Sequence, residues 1–180
     1  MSLRAPDPPL GDGVVSLRPL ASRDLDAVEQ ALRDPEITRW FDDRRLSADD
    51  VVGQAQSGWE QSQAAEFAIV DGEECVGSIW LNLGPSWRAT VGYWLLAQAR
   101  GRGLVTHALL LVARWAFDEV GVQRISLLAD PRNATSIGVA ERAGFYREGV
   151  LRSWTDVNGE RVDYVSFSLL PSDLSGELDA

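Results

Sequence analysis

The segment Gln98–Gly103, "QARGRG", joins two apolar runs, "TVGYWLL" at residues 90–96 and "LVTHALLLVARWAF" at residues 104–117. The first run predicts a strand and the second a helix. Glycine at such a junction lets backbone N–H groups turn toward a bound group without interference from a Cβ atom. A helix N-terminus adds about half a positive charge. The junction therefore predicts an anion site, most naturally for phosphate, to which Arg100 and Arg102 could add charge-assisted contacts.

A competing interpretation of this junction is a solvated turn, which for a bare Gly-x-Gly segment is favoured by roughly three to one. A nucleotide-binding α/β protein is another alternative. Its dinucleotide fingerprint would place a third glycine at position 106, where Thr106 stands, and would follow the first strand of the fold. Here the strand comes late in the chain, which counts against that class.

The 180 residues fit one domain with a sizeable core, and no repeat or linker divides them. We predict a flexible N-terminal segment over residues 1–12, a single domain over 13–170 and an acidic flexible tail over 171–180. Hydrophobic periodicity predicts strands at 14–20, 66–71, 74–83, 88–96 and 124–130, a final antiparallel pair after residue 144, and helices at 22–34, 47–63, 104–120 and 133–144. Ser22, Ser47 and Asn133 are the predicted N-caps. This order is a mixed α/β fold with one strand–helix–strand crossover.

Composition narrows the function. The net charge of −10 argues against nucleic acid and is compatible with a cationic acceptor. All 17 basic residues are arginine, so no lysine can hold a phosphate or form a Schiff base. A single cysteine and a single histidine predict neither an internal disulfide nor a metal site. No run is long and apolar enough for a bilayer, and no signal peptide is visible, so we expect a cytoplasmic protein without a membrane partner.

Two motifs in one topology carry a resemblance to a known family. Both motifs resemble those of the GCN5-related N-acetyltransferases (GNAT). The first is Q-x-x-G-x-G at 98–103 after "GYWLL", and the second is "NATSIGVAERAGF" at 133–145. The ending "EGVLRSW…NGERVDYVSFSLL" is similar to the RimJ/RimL branch. The resemblance covers roughly residues 13–170. It implies a central sheet of about seven strands, helices on both faces, and two splayed parallel strands that hold acyl-CoA.

The resemblance also implies the activity and the cofactor contacts. The expected reaction is transfer of an acetyl group from acetyl-CoA to a primary amine, on a protein N-terminus or a small molecule, by direct attack. The strand end would bind the pantetheine arm, the loop amides the pyrophosphate, and the asparagine of the second motif the pantetheine amides. The implied cofactor-binding residues are Trp94, Leu95, Leu96, Gln98, Arg100, Gly101, Arg102, Gly103, Leu104, Val105, Thr106, Asn133 and Ser136.

The catalytic residues are less clearly marked. Many relatives carry a tyrosine seven residues after the asparagine, to protonate the thiolate, but Ala140 stands there in this chain. Ser136 shares that helix face and could take the role. The alternative, weighed about evenly, is a first-turn serine bonded to the Asn133 backbone.

The general base has several candidates. Relatives in this branch can carry a carboxylate in the hairpin before the last strand, where Thr155 stands next to Asp156, so Asp156 is the predicted base. Asp130 and Glu66 are further candidates, and loss of the amine proton to water needs no base at all.

The resemblance to the RimJ/RimL branch implies that the segment after the first helix and the second helix form the walls of the acceptor site. Trp40, Phe41 and Trp59 would form its floor, with Asp42 and Asp43 at its edge to suit a cationic amine. Core packing is about as frequent a role for such aromatics.

His107 is predicted to pack or to flank the cofactor, and Cys75 is predicted to be buried and inert. Further alternatives are a CoA-binding protein with little turnover and an acyltransferase that uses succinyl-CoA. The chain is expected to be a monomer or a homodimer.

Overall fold

The computed structural model describes residues 3–40, 46–85, 87–157 and 160–174. Within them, one sheet of eight strands has the order β1-β2-β3-β4-β5-β6-β8-β7. The strands are β1 (Leu10–Gly11), β2 (Ser16–Pro19), β3 (Ala64–Asp71), β4 (Glu74–Leu83), β5 (Arg88–Leu95), β6 (Arg124–Ala129), β7 (Tyr146–Val157) and β8 (Glu160–Leu169). The helices are α1 (Leu25–Arg33), α2 (Pro35–Thr38), α3 (Ala48–Glu60), α4 (Leu104–Trp115), α5 (Ala134–Arg142) and α6 (Pro171–Leu174). The mixed α/β fold predicted from the sequence is confirmed, with eight strands where about seven were expected.

The extra strand is β1, whose two residues pair with β2 at the edge of the sheet. Its residues, Leu10 and Gly11, belong to the N-terminal segment for which the sequence predicts flexibility. At the other terminus the structure describes α6, and residues 175–180 of the predicted tail lie outside the described part of the chain.

Strands β5 and β6 are parallel and are joined through α4, which confirms the predicted crossover. Their pairing runs from Arg88 opposite Arg124 to Val91 opposite Leu127 and stops there. Strand β5 continues to Leu95 on the side of β4, and β6 continues beside β8. The two strands therefore part at their carboxyl ends, which is the expected position for a ligand in an open α/β sheet.

Buried residues form a separate core on each face of the sheet. The larger core packs α4 against alternate residues of the strands, including Val91 of β5. The smaller core packs α1 and α3 on the opposite face, where Trp94 contributes. Because successive side chains of a strand point to opposite faces, β5 supplies both cores and runs between them.

Local sequence sets the helix ends that position the site. Ser47 accepts a hydrogen bond from the Asp50 N–H and caps α3, as predicted. Ser22 does not cap the first helix: a 3₁₀ turn, Ser22–Asp24, precedes α1, and the Asp24 carboxylate accepts the Ala21 N–H at 3.0 Å. The Asp24 carboxylate is also held by two bonds of 2.7 Å from Arg18, an interaction that the local pattern does not reveal.

None of the helices in the described ranges has both the length and the apolar character needed to cross a membrane.

Candidate active site

The loop before α4 has the backbone conformation that its glycines predict. Gly101 and Gly103 have φ angles of +76° and +78°, in the left-handed region that other residues rarely adopt. The N–H groups of residues 101–105 have no acceptor among the described residues. They therefore form a cluster of uncommitted donors at the N-terminus of a twelve-residue helix, where the dipole favours an anion.

Thr106 supplies a second sign that this loop binds a ligand. Its Oγ1 atom is buried and has no hydrogen-bond partner within the described part of the chain. A buried hydroxyl without a partner costs free energy, and such groups are rare in folded proteins. A phosphate oxygen at the loop would satisfy both this hydroxyl and the loop amides, so the residues present fit the pyrophosphate of CoA.

The two loop arginines are engaged with the protein's own carboxylates. Arg100 donates to Asp34 at 2.6 Å and, through Nε, to the Leu95 carbonyl at 3.0 Å. Arg102 donates to Asp71 at 2.6 Å. The predicted loop site thus stands mainly on backbone donors, and Arg100 ties the loop to the corner between α1 and α2. Gln98, in the 3₁₀ turn Ala97–Ala99, is exposed.

The backbone of β5 beyond Val91 has one edge without a neighbouring strand, although the Leu95 carbonyl accepts the Arg100 Nε–H. The Leu96 N–H donates to the Val76 carbonyl at 2.9 Å, toward β4, and is therefore not available to a cofactor. Because backbone groups alternate between the two edges of a strand, Leu95 and Tyr93 point theirs toward the gap left by β6. Of the three strand residues predicted to bind pantetheine, Leu95 faces the gap, whereas Trp94 lies in the smaller core.

Helix α5 brings the second motif to the same gap. The Asn133 side chain accepts the Ser136 N–H at 3.0 Å, so Asn133 caps the helix as predicted and keeps its amide NH₂ donors for other partners. The Ser136 hydroxyl is not bonded to the Asn133 backbone, which was the alternative weighed from the sequence. It lies 2.8 Å from the hydroxyl of Tyr93.

Tyr93 is a site residue that the sequence analysis did not identify. The run "GYWLL" marks it only as part of a strand, and the partner lies 43 positions later in the chain. The strand pattern could have identified it. Because successive side chains of a strand point to opposite faces, Tyr93 and Trp94 lie on opposite faces, and Tyr93 lies on the face of α4 and α5.

Ala140 occupies the position where relatives carry a tyrosine, and it is fully buried in the larger core. We expect Ala140→Tyr to lower the melting temperature by several degrees, because overpacking a core typically costs about 1–3 kcal/mol. Differential scanning calorimetry of the variant against Ala140→Ser, which adds far less volume, measures this. A tyrosine variant as stable as the parent would show that the helix shifts to make room.

The three acids considered as the base occupy different environments. Asp130 accepts three hydrogen bonds from Arg132, and the side-chain bonds of that arginine hold the pKa of Asp130 below its ordinary value. Asp156, the predicted base, lies exposed on β7 opposite Arg161. Glu66 accepts the Ser78 hydroxyl at 2.7 Å and lines a groove on the α1–α3 face. The geometry places Glu66 in a cavity, and the role of Asp156 stays a prediction.

That groove has a volume of about 1590 Å³ and lies between α1, α3 and the sheet. Trp80 and Trp94 belong to its walls. The charged residues in the described lining are Asp49, Asp50 and Glu66, all acids. The groove lies on the α1–α3 face of the sheet, where Trp94 of β5 lines it, and the gap lies at the edge of the same strand toward β6, so both adjoin β5.

Of the predicted acceptor residues, Trp40 is adjacent in sequence to groove residues and Trp59 lies in the core. Trp40 follows α2 and is half-buried, with the Arg39 guanidinium 4.9 Å from its ring, next to the groove residues Ile37 and Thr38. Trp59 packs edge-on against Phe67 at 5.1 Å and contacts Trp115, which favours the core alternative for this residue. Phe41, Asp42 and Asp43 lie outside the described residues.

The remaining candidates are held by partners. His107 contacts the Asp12 carboxylate at 2.6 Å, which links α4 to the N-terminal segment. Burial raises the pKa of the Cys75 thiol to about 11, so the thiol stays protonated near neutrality and is a poor nucleophile.

The class of protein follows from this geometry. Two parallel strands that part beside a phosphate-type loop define the acyl-CoA site of the GNAT fold. Residues 15–146 match the family described as "Acetyltransferase (GNAT) domain". The chain belongs to this family and is an acyl-CoA-dependent N-acetyltransferase, and the family assignment made from the two motifs is confirmed.

Individual relatives refine the resemblance. "Uncharacterized N-acetyltransferase p20" of Bacillus licheniformis is 26% identical over 170 residues, which are 90% of this chain and 96% of that protein. The "Ribosomal-protein-serine acetyltransferase" of Escherichia coli is 28% identical over 127 residues, 69% of each chain. The structure of Mycobacterium smegmatis RimJ in complex with CoA-disulfide is 25% identical, with a TM-score of 0.81 over 96% of this chain and 87% of that one. The similarity to the RimJ/RimL branch is thus confirmed.

Proposed function

We propose that this chain transfers an acetyl group from acetyl-CoA to a primary amine that attacks the thioester directly. The observation that carries the proposal is the shared strand: the gap beside β6 and the groove lined by Trp94 both adjoin β5. The solved structure of a relative in complex with CoA-disulfide supports an acyl-CoA as the acyl donor.

Binding of the donor would rest on the backbone. The N–H groups of residues 101–105 and the Thr106 hydroxyl would hold the pyrophosphate, and the NH₂ group of Asn133 would donate to a pantetheine carbonyl. The edge of β5 at Leu95, whose carbonyl also accepts the Arg100 Nε–H, would bind the pantetheine arm as an added strand. The thioester itself supplies the activated acetyl group.

The chemical step needs a neutral amine and a route for its proton. The amine nitrogen forms a bond to the thioester carbon, the carbon–sulfur bond breaks, and the sulfur leaves as a thiolate. The amine proton goes to water or to Glu66. Of the three candidate bases, Glu66 is the one in the groove lining. Holding both reactants on one strand supplies proximity, which can account for several kcal/mol of the barrier.

The acceptor is a primary amine on a protein N-terminus or on a small molecule. The groove exceeds the ~300–1,000 Å³ of ordinary small-molecule sites, which supports an extended acceptor. The acids of its described lining support a cationic one. The ribosomal-protein acetyltransferase among the relatives supports a protein acceptor.

An acceptor screen tests the proposal. Acetyl-CoA consumption is measured against N-terminal peptides, aminoglycosides, polyamines and amino acids, with succinyl-CoA in parallel. We expect release of CoA with acetyl-CoA and a cationic amine. If the protein binds acetyl-CoA tightly but no amine of the panel causes release of CoA, the alternative of a CoA-binding protein is favoured. If CoA is released faster from succinyl-CoA, the acyl donor is succinyl-CoA and not acetyl-CoA.

Trp40→Ala is expected to raise the KM for the acceptor severalfold while it changes the KM for acetyl-CoA less than twofold. Trp40 follows two groove residues of α2, Ile37 and Thr38. The steady-state parameters for both substrates measure this, with Trp154→Ala as the control, since Trp154 is an exposed tryptophan on β7, at the edge of the sheet away from the groove. Equal changes in both KM values, with a large drop in melting temperature, would instead assign Trp40 to packing.

A further inference from the structure

We infer that Tyr93 and Ser136 act as one hydroxyl pair that donates a hydrogen bond to the leaving thiolate, with Ser136 next to the sulfur and Tyr93 as the positioning residue behind it. This inference rests on the proposed function. It assigns a role to a tyrosine of β5. The position on α5 where many relatives carry a tyrosine is Ala140 in this chain.

The pair connects the two sides of the gap. Tyr93 lies on β5 two residues after Val91, the last residue of β5 that pairs with β6. Ser136 lies in the first turn of α5, which follows β6. Their oxygens are 2.8 Å apart, so the bond spans the region where the strands have separated. Both residues are half-buried, and the Ser136 N–H is fixed by Asn133 at 3.0 Å.

The number of hydroxyl hydrogens leaves one free for a ligand. Each hydroxyl has one hydrogen to donate, and the bond between the two oxygens uses one of them. No other hydrogen-bond partner for either oxygen is found in the part of the chain that the structure describes. When Tyr93 donates to Ser136, the Ser136 hydrogen is free to point into the gap, and an acceptor there completes the pair.

The pair stabilises negative charge without giving up a proton. Burial raises the pKa of Tyr93 to about 12, so its phenol remains a donor across the working range. A CoA thiol has an ordinary pKa near ~8.5, so complete transfer of a proton from the phenol to the thiolate is unfavourable. The carbon–sulfur bond breaks, the thiolate accepts the Ser136 hydrogen bond, and water later supplies the proton of the free thiol.

Kinetics of three variants test this pair. Tyr93→Phe removes only the hydroxyl, and we expect kcat to fall about tenfold with the KM for acetyl-CoA within twofold of the parent, since a hydrogen bond between two neutral hydroxyls is worth up to about one order of magnitude. Because both residues act through one bond, the double variant with Ser136→Ala should be no slower than Ser136→Ala alone. Ser136→Thr, which keeps a hydroxyl, should retain most of the activity.

The control is Tyr146→Phe, since the side chain of Tyr146 is 69% exposed on β7, and it should match the parent. Multiplicative losses in the double variant, or a Tyr93→Phe enzyme within twofold of the parent in kcat, would overturn the inference.

A binding measurement separates this inference from the proposed function, because it needs no acceptor. Affinities for CoA and for desulfo-CoA, which lacks the sulfur, are compared between pH 7 and pH 9.5. In the parent the preference for CoA should increase as the thiol ionises, and Tyr93→Phe should reduce that increase severalfold. If no amine is acetylated but this pH-dependent preference depends on Tyr93, the proposed function fails, and only the binding of the CoA thiolate by the hydroxyl pair stands. If the parent acetylates amines but the preference is unchanged in the variant, the inference fails alone.

Discussion

Replacing Gly103 with valine is expected to weaken CoA binding by about a hundredfold or more. Gly103 has a φ angle of +78° and precedes α4, and a β-branched residue in that conformation costs about 1–3 kcal/mol. The loop relieves this strain by turning, which moves the N–H groups of residues 101–105 away from the pyrophosphate. A Cβ atom at Gly103 would meet no atom within 4 Å, so the effect comes from backbone conformation and not from a clash with the protein. Isothermal titration calorimetry with CoA measures it.

Two controls give the result its meaning. Gly121 ends the helical segment that follows α4 with a φ angle of +80°, and Gly121→Val should cost similar stability but leave CoA affinity within threefold of the parent. Arg100→Ala should weaken CoA binding only mildly, because that side chain bonds Asp34 and the Leu95 carbonyl. If Gly103→Val binds CoA as tightly as the parent, the assignment of the loop is wrong.

Ser136→Ala is expected to reduce kcat about tenfold to a hundredfold with little change in CoA affinity. Loss of a general acid or a positioned donor typically costs ~10²–10⁴-fold, and a thiolate, whose conjugate acid has a pKa near ~8.5, needs less help than most leaving groups. The side chain contributes its hydroxyl to the bond with Tyr93, while the N-cap bond uses the Ser136 backbone and survives the change. Pre-steady-state kinetics separate chemistry from product release.

A kcat within twofold of the parent, with chemistry shown to be rate-limiting, would contradict this expectation. Ser136 would then serve only the first turn of α5, and the thiolate would leave to water.

Features encoded in short segments could be predicted from the sequence. The glycines of "QARGRG" predict a donor-rich loop because left-handed backbone is a property of single residues, and Gly101 and Gly103 adopt it. Ser47 and Asn133 could be assigned as N-caps because the capping bond joins residues three positions apart. The crossover through α4 follows from the order of the apolar runs and the right-handed rule.

Features that depend on distant pairs could not be predicted. Tyr93 and Ser136 are 43 positions apart, and Arg100 and Asp34 are 66 apart, so no local pattern connects them. The local sequence around Trp59 is compatible with a residue that lines a groove and with one that packs on Phe67. Only the tertiary fold distinguishes these roles. The register of β7 shifts twice against β8, which sets where Asp156 lies relative to the gap.

The stoichiometry of the reaction tests the central claim most directly. Acetyl-CoA carrying a labelled acetyl group is incubated with the protein, with and without the best amine of the screen, and free CoA thiol and label are followed by mass spectrometry. Direct transfer predicts one acetylated amine for each CoA released, negligible release without amine, and no label on Cys75, whose thiol stays protonated. Amine-independent loss of the label to Cys75, or CoA that binds tightly but is not released with any amine, would contradict the account.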